Sequence, residues 1–344
     1  MIRVGIVGCG YWGPNLIRCF SEGAGTAVEM VSDMQADRLA AIRRRYPGVR
    51  TTTDSRELIA SPQIDAVAIS TPVASHFGLA TAALEAGKHV LVEKPMTATA
   101  ESARRLIDAA ERRRLVLMVD HTFIYTGAVR KVRELIAGGQ LGKPYYYDSV
   151  RVNLGLFQRD VDVIWDLAVH DVSIMDYVLP LRPLAVSAIG VSHVAGRQAD
   201  IAYVTVFCAD DFLAHVHVNW LAPVKVRRTM IGGSNKMIVY DDVEPSEKVK
   251  VYDKGIAVGG PDSDKIVEMM INYRTGDVWI PKLDITEALK SAVAEFTSSV
   301  EQSRKPLTDG YAGLRTVTLL EMATRSMSEK GRPVELGAAM SLPA

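Results

Sequence analysis

The first 120 residues alternate short apolar runs with longer amphipathic stretches. Residues 2–7, 28–33, 65–70, 89–92 and 115–119 are predicted strands with helices between them, the alternation of βαβ units. The runs are apolar throughout, as in Asp65-Ala66-Val67-Ala68-Ile69-Ser70. A strand with no polar side belongs in a parallel sheet that helices cover on both faces. From about Tyr145 the pattern changes: Phe212-Leu213-Ala214-His215-Val216-His217-Val218-Asn219-Trp220 alternates with period two, which suits an antiparallel sheet with one dry and one polar face. Near the C-terminus Ala288, Leu289, Ala292, Val293, Phe296 and Val300 share one face of a predicted helix that begins after Asp284 and stops at Lys305-Pro306, and a last helix follows around 310–330. The implied class is α/β: a doubly wound parallel sheet in residues 1–121, then an α+β domain with a largely antiparallel open sheet in 122–344, whose C-terminal helices pack back on the first domain.

Composition narrows the function. The chain has 344 residues, 48% of them hydrophobic, enough for two packed domains without a linker or internal repeat. Its 40 Lys and Arg balance 40 Asp and Glu, so no basic field exists to hold a nucleic acid. No apolar run reaches the ~18 residues of a bilayer span, and the glycine turn after Val7 comes too early for a signal peptide. Cys9, Cys19 and Cys208 are odd in number and lack CxxC spacing, so neither a disulfide framework nor a thiolate metal site is encoded. A reducing cytoplasm is the expected location.

Gly8-Cys9-Gly10-Tyr11-Trp12-Gly13 follows the first strand and precedes a helix marked by Pro14. This is the fingerprint of a Rossmann dinucleotide site: Gly8 for the tight turn, Gly10 for close approach of a pyrophosphate, Gly13 for helix packing, with the helix N-terminus facing the phosphates. Asp33 lies 20 residues after Gly13 at the end of the second strand, where a carboxylate accepts hydrogen bonds from the adenosine ribose and repels a 2′-phosphate. That favours NAD over NADP, with Arg38 near enough in sequence to leave room for dual use. Ser70-Thr71-Pro72 and Glu93-Lys94-Pro95 end later strands, on the edge where a doubly wound sheet places its ligand. Tyr11, Trp12 and His76 join Ser70, Thr71, Pro72, Glu93 and Lys94 as cofactor candidates.

His215 and His217 share one face of a strand, a spacing some metal sites use. No third ligand is near them in the sequence, so no metal site is assigned.

Gly8 to Gly13, Ser70-Thr71-Pro72, Ala86-Gly87-Lys88-His89-Val90-Leu91-Val92-Glu93-Lys94-Pro95 and Trp165-Asp166-Leu167-Ala168-Val169-His170-Asp171 occur in order along the whole chain. Together they resemble the Gfo/Idh/MocA oxidoreductases, the glucose-fructose oxidoreductase and inositol dehydrogenase family. The strings GCGYWGPN and NLGLFQ…WDLAVHD look most like its branch of sugar-nucleotide and antibiotic-sugar 3-dehydrogenases. The resemblance places a catalytic set on Lys94, Asp166 and His170. It implies NAD-dependent oxidation of a secondary ring hydroxyl, at C3, of a sugar, sugar nucleotide or aminoglycoside. In that reading His170, with a reference pKa near ~6.5, takes the hydroxyl proton. Lys94 stabilises the alkoxide, and Asp166 orients the sugar or the imidazole while favouring its protonated form. Four residues apart on one helix, Asp166 and His170 would share a face. Tyr125, Arg151, Asn153 and Trp165 are expected beside the substrate, with Arg151 available for a phosphate or carboxylate, and His121 is a further candidate. In the proteins it resembles, the outer face of the second domain's sheet packs against another subunit, so the resemblance implies a homodimer or homotetramer joined through the face that carries His215, His217 and Asn219. The alternatives are an inositol dehydrogenase and a non-catalytic NAD or sugar sensor.

Overall fold

The computed structural model describes residues 1–155, 161–194, 198–257 and 272–337. They fall into two compact units, the first holding Met1–Thr126 and Ile285–Glu321, the second Gly127–Asp284 and the described residues from Met322 on.

In the first unit, six strands alternate with helices. These are β1 (Ile2–Val7), α1 (Gly13–Glu22), β2 (Thr26–Ser32), α2 (Ala36–Arg45), β3 (Arg50–Thr52), α3 (Ser55–Ala60), β4 (Ala66–Ile69), α4 (Val73–Glu85), β5 (His89–Glu93), α5 (Ala100–Arg113) and β6 (Leu117–Asp120). All pairings are parallel, in the order β3-β2-β1-β4-β5-β6. The chain therefore reverses its direction of growth between β1 and β4, the switch point at which such sheets bind ligands. Every residue of β4 is buried, the reason its run carries no polar alternation. The short edge strand β3 escapes a pattern search because none of its three residues, Arg50, Thr51 and Thr52, is apolar.

The first unit reaches past the expected boundary at 121, to Thr126, and takes in α8 (Ala288–Glu301). Phe296 of α8 meets Phe20 of α1 edge-on at 6.1 Å, and Leu289, Ala292 and Val293 are buried beside it. Burying each larger apolar side chain contributes roughly 1.5–3 kcal/mol. Thr308 extends the edge of the first sheet: its carbonyl accepts from Val119 N–H at 2.8 Å and its Oγ1 donates to Val119 O at 2.7 Å.

The second unit begins with α6 (Gly127–Ala137), β7 (Pro144–Leu154) and α7 (Val169–Val178). Strands β8 (Pro183–Val191), β9 (Ile201–Cys208), β10 (Leu213–Asn219), β11 (Leu221–Gly233), β12 (Met237–Asp241) and β13 (Val249–Tyr252) follow, then β14 (Gly255–Ala257), β15 (Asn272–Arg274), β16 (Val278–Trp279) and β17 (Val334–Glu335). The large sheet has the order β16-β13-β12-β11-β7-β10-β9-β8-β17 among the described residues, and β14 pairs with β15 separately. It is antiparallel except between β10 and β7. The predicted alternation of 212–220 is realised in β10: Ala214, Val216 and Val218 are buried, while His215, His217 and Asn219 lie on the more open face. On β7 the buried face carries Tyr147, Ser149 and Arg151.

One element differs from expectation. Asp166 and His170 do not share a plain α-helix: Ile164–Ala168 forms a π-helical turn, with Val169 N–H bonding back to Ile164 O, and α7 starts only at Val169. Single π turns are uncommon and concentrate at functional sites.

Candidate active-site residues

In the first unit the glycine loop meets the steric demands of a dinucleotide cradle. Gly8 has φ +100°, and a Cβ on it would stand 2.5 Å from Ser70 O; one on Gly13 would stand 2.1 Å from Gly8 O. A Cβ on Gly10 would have as its nearest neighbour Arg38 Nη1 at 3.7 Å, so that side of the loop is open to a phosphate. Ser70 Oγ donates to Gly8 O at 2.8 Å and fastens the loop to the end of β4. The described residues thus fit the cofactor that the fingerprint implies.

Asp33 is buried at the end of β2, where Oδ2 accepts from Cys9 N–H at 2.7 Å and Oδ1 from Gln35 N–H at 2.8 Å. Arg38 Nη1 lies 3.4 Å from Oδ2. These bonds fix the carboxylate in the loop and leave lone pairs for ribose hydroxyls. Burial, followed by the Asp33 charge, pushes the Cys9 thiol up to about 12, so it remains an inert thiol. Tyr11 is exposed, and Trp12 Nε1 donates to Asp120 Oδ2 at 3.2 Å, joining the loop to the end of β6. His76 differs from expectation: its buried ring is engaged with backbone, Nδ1 with Pro95 O at 2.9 Å and Nε2 with Thr71 O at 2.7 Å. It ties the Ser70-Thr71-Pro72 turn to the Glu93-Lys94-Pro95 turn.

Glu93 and Asp120 are cross-strand neighbours at the ends of β5 and β6. Burial, and then the Asp120 carboxylate, push Glu93 well above the usual carboxylate range. Lys94 follows it, and the Lys94–Pro95 peptide is cis. Asp120 is held from three directions, by its strand, by Trp12 and by Thr122 Oγ1 at 2.8 Å. Tyr125 is buried in the first unit with its hydroxyl 2.9 Å from Thr308 Oγ1, a core position that corrects its expected substrate contact.

In the second unit, Asp162 caps the π turn, Oδ1 accepting from Ile164 N–H at 2.9 Å and Trp165 N–H at 3.1 Å. Asp166 Oδ2 accepts from the indole Nε1 of the buried Trp220 at 3.1 Å, a partner no sequence motif indicated. Trp165, half-buried, donates from Nε1 to Thr324 Oγ1 at 2.8 Å. His170 sits at the start of α7, half-buried, its carbonyl accepting from Ser173 Oγ at 2.8 Å.

Arg151 corrects a second expectation. Its side chain is 2% exposed, and Nε and Nη2 donate to Asp171 Oδ2 and Oδ1 at 2.7 and 3.2 Å. Ser149 Oγ adds a 2.6 Å bond to the same carboxylate. The guanidinium binds the helix that carries His170 to β7, in place of a substrate phosphate. Asn153 is half-buried near the end of β7, and Leu156–Gln158 of the NLGLFQ string lie outside the described residues.

His215 Nδ1 lies 3.2 Å from Thr205 Oγ1, and His217 stacks on Tyr203 at 4.4 Å. Among the described residues no group of three metal-ligating side chains occurs, and no helix is long and apolar enough to cross a membrane.

Comparison with known proteins adds to this geometry. Residues 2–121 match the model of an oxidoreductase family with an NAD-binding Rossmann fold, and residues 129–239 match the GFO/IDH/MocA C-terminal domain. The chain is 28% identical over 329 residues to the UDP-N-acetylglucosamine 3-dehydrogenase of Acidithiobacillus ferrooxidans, covering 92% of this chain and 94% of that one. A crystal form of that enzyme superposes with a TM-score of 0.81 at 26% identity, over 95% of this chain and 98% of the other. An inositol 2-dehydrogenase of Pseudomonas savastanoi pv. phaseolicola is 30% identical over 184 residues, 52% of this chain and 54% of that one. Levoglucosan dehydrogenase in complex with NADH shares the fold, with a TM-score of 0.80 at 19% identity over 97% of this chain and 99% of the other.

Proposed function

The chain belongs to the GFO/IDH/MocA oxidoreductases and uses NAD as its cofactor, and from that premise we propose that it oxidises the C3 hydroxyl of the sugar ring of a nucleoside-diphosphate sugar to a ketone. The observation that carries the reading is the π turn at Ile164–Ala168, which places Asp166 on the Trp220 indole one turn before His170. Likeness over almost the full length of a UDP-N-acetylglucosamine 3-dehydrogenase supports the substrate class.

Oxidation of a secondary alcohol needs a base for the hydroxyl proton, charge to stabilise the developing alkoxide, and an acceptor for the carbon-bound hydrogen with its electron pair. NAD, when bound, supplies that acceptor. His170 takes the proton from the C3 oxygen on a ring nitrogen. Lys94 donates from Nζ to the same oxygen as negative charge develops there. Asp166, held by Trp220, orients the sugar or the imidazole. Asp33 holds the adenosine ribose, and the α1 N-terminus with the Gly8 to Gly13 loop holds the pyrophosphate.

The 30% identical inositol 2-dehydrogenase supports a second reading, in which the same groups act on a ring hydroxyl of a cyclitol. The more open sheet face carries Tyr203, Phe207, Leu213 and Ile189, all over a third exposed, and we assign it to a homodimer or homotetramer interface. Three buried free thiols suit a reducing cytoplasm.

The test is to incubate the enzyme with NAD and UDP-N-acetylglucosamine or myo-inositol, trap the product with borodeuteride, and locate the deuterium by mass spectrometry. Label at C3 of the sugar is expected. Label only in the inositol transfers the assignment to the second reading, and label in neither leaves the sensor.

A further inference from the structure

Strand β6 ends at Asp120, and the next residue, His121, is 1% exposed. Neither Nδ1 nor Nε2 has a hydrogen-bond partner among the described residues. Leaving a buried polar group in that state costs its desolvation with nothing in return, and folded interiors rarely tolerate it without a functional reason. A methyl-bearing or aromatic residue would serve a packing role at no such cost.

The position of the ring supplies the reason. In the order β3-β2-β1-β4-β5-β6, Asp33 at the end of β2 marks the adenosine half of the sheet, so β5 and β6 belong to the other mononucleotide half. Their carboxyl ends carry Glu93, Lys94, Asp120 and His121. Asp120 is occupied by Trp12 and Thr122 and Glu93 by Asp120 and the Lys94 N–H, whereas the His121 ring has no partner among the described residues. Burial and the nearby Lys94 charge push His121 down to about 3, so at neutral pH the ring offers one N–H donor and one nitrogen acceptor. A phosphate would not match that pair, and a neutral group that both donates and accepts would.

We propose that His121 binds the nicotinamide ribosyl half of NAD, donating one hydrogen bond to and accepting another from either the carboxamide or a ribose hydroxyl. The residue orients the cofactor and moves no proton. This needs NAD binding but not the sugar assignment, so the two fail separately.

Titration calorimetry of the full chain with NADH, ADP-ribose and ADP tests it, using the wild type, His121→Phe and His121→Asn. His121→Phe is expected to weaken NADH by about tenfold or more and to leave ADP unchanged, while the amide of His121→Asn keeps NADH within a few-fold. An ADP-ribose affinity that falls with NADH assigns the ribose hydroxyl, and one that stays assigns the carboxamide. Unchanged NADH affinity, or equal losses for all three ligands, overturns the proposal. If His121→Phe does not fold, nitrogen NMR of histidine-labelled wild type decides: a buried, neutral imidazole should shift with NADH and not with ADP, and no shift overturns it.

Discussion

Trp220 Nε1 donates to Asp166 Oδ2 at 3.1 Å, from an indole that is 1% exposed at the junction of β10 and β11. The bond fixes a carboxylate on the π turn that leads into His170. Its donor comes from a strand end 54 residues later in the chain, so the group that sets the geometry and the groups proposed to do the chemistry lie far apart in sequence. Trp220→Phe keeps most of the packing and removes only the donor. It is expected to lower kcat/KM by roughly tenfold to a hundredfold, the scale of a misplaced catalytic group. Steady-state kinetics on a variant of unchanged melting temperature will measure this.

The Arg151 and Asp171 pair is structural. Arg151→Leu strands the Asp171 charge in the interior and is expected to cost about 3–5 kcal/mol, read from urea unfolding midpoints. Arg151→Met with Asp171→Leu should recover most of that loss, since the double change leaves neither charge buried. A large rise in KM without loss of stability would return Arg151 to the substrate.

Asp33 should set cofactor choice. Asp33→Asn removes the charge that opposes a 2′-phosphate and leaves Arg38 beside it, so the ratio of kcat/KM for NAD over NADP is expected to fall by about tenfold or more. Parallel assays with the two cofactors measure it.

Glu93 gives a pH dependence of definite sign. Its folded pKa is raised above the ordinary value of 4.5, by burial first and Asp120 next, with Lys94 opposing. The folded state therefore holds a proton that the unfolded state releases, and stability falls as pH rises above 4.5. Glu93→Gln removes that loss. The ligand-free variant should melt at least about 2 °C higher than wild type at neutral pH, a gain that fades toward acid. Calorimetric scans across pH measure it, and a gain that grows toward acid would contradict the assignment.

Much of the fold was legible because burial on both faces leaves β4 wholly apolar and β1, β5 and β6 mostly so, and β10 alternates because only one face is packed. β3 was not, since Arg50-Thr51-Thr52 carries no apolar signal. The cofactor loop could be read from Gly8, Gly10, Gly13 and Asp33, where steric and charge demands act on residue type directly. Arg151 and His76 misled for the opposite reason. A polar residue in a suggestive string reads as a ligand contact, and only the fold supplies Asp171 for the one and the Thr71 and Pro95 carbonyls for the other. The π turn was hidden because a single turn with Asp166 and His170 four apart fits a period of 3.6 as well as a wider one. Trp220 left one faint signal, an aromatic donor closing an alternating strand.

The most direct measurement of the central claim is the initial rate of NADH formation from NAD with UDP-, dTDP- and GDP-sugars and inositols, for the wild type, Lys94→Ala and His170→Ala. NADH formation with a nucleotide sugar, reduced by about a hundredfold or more in both variants while NAD still binds, is the expected result. Undiminished turnover in either variant would contradict the assigned roles, and no turnover by wild type with any of these compounds would contradict the enzyme's proposed substrate.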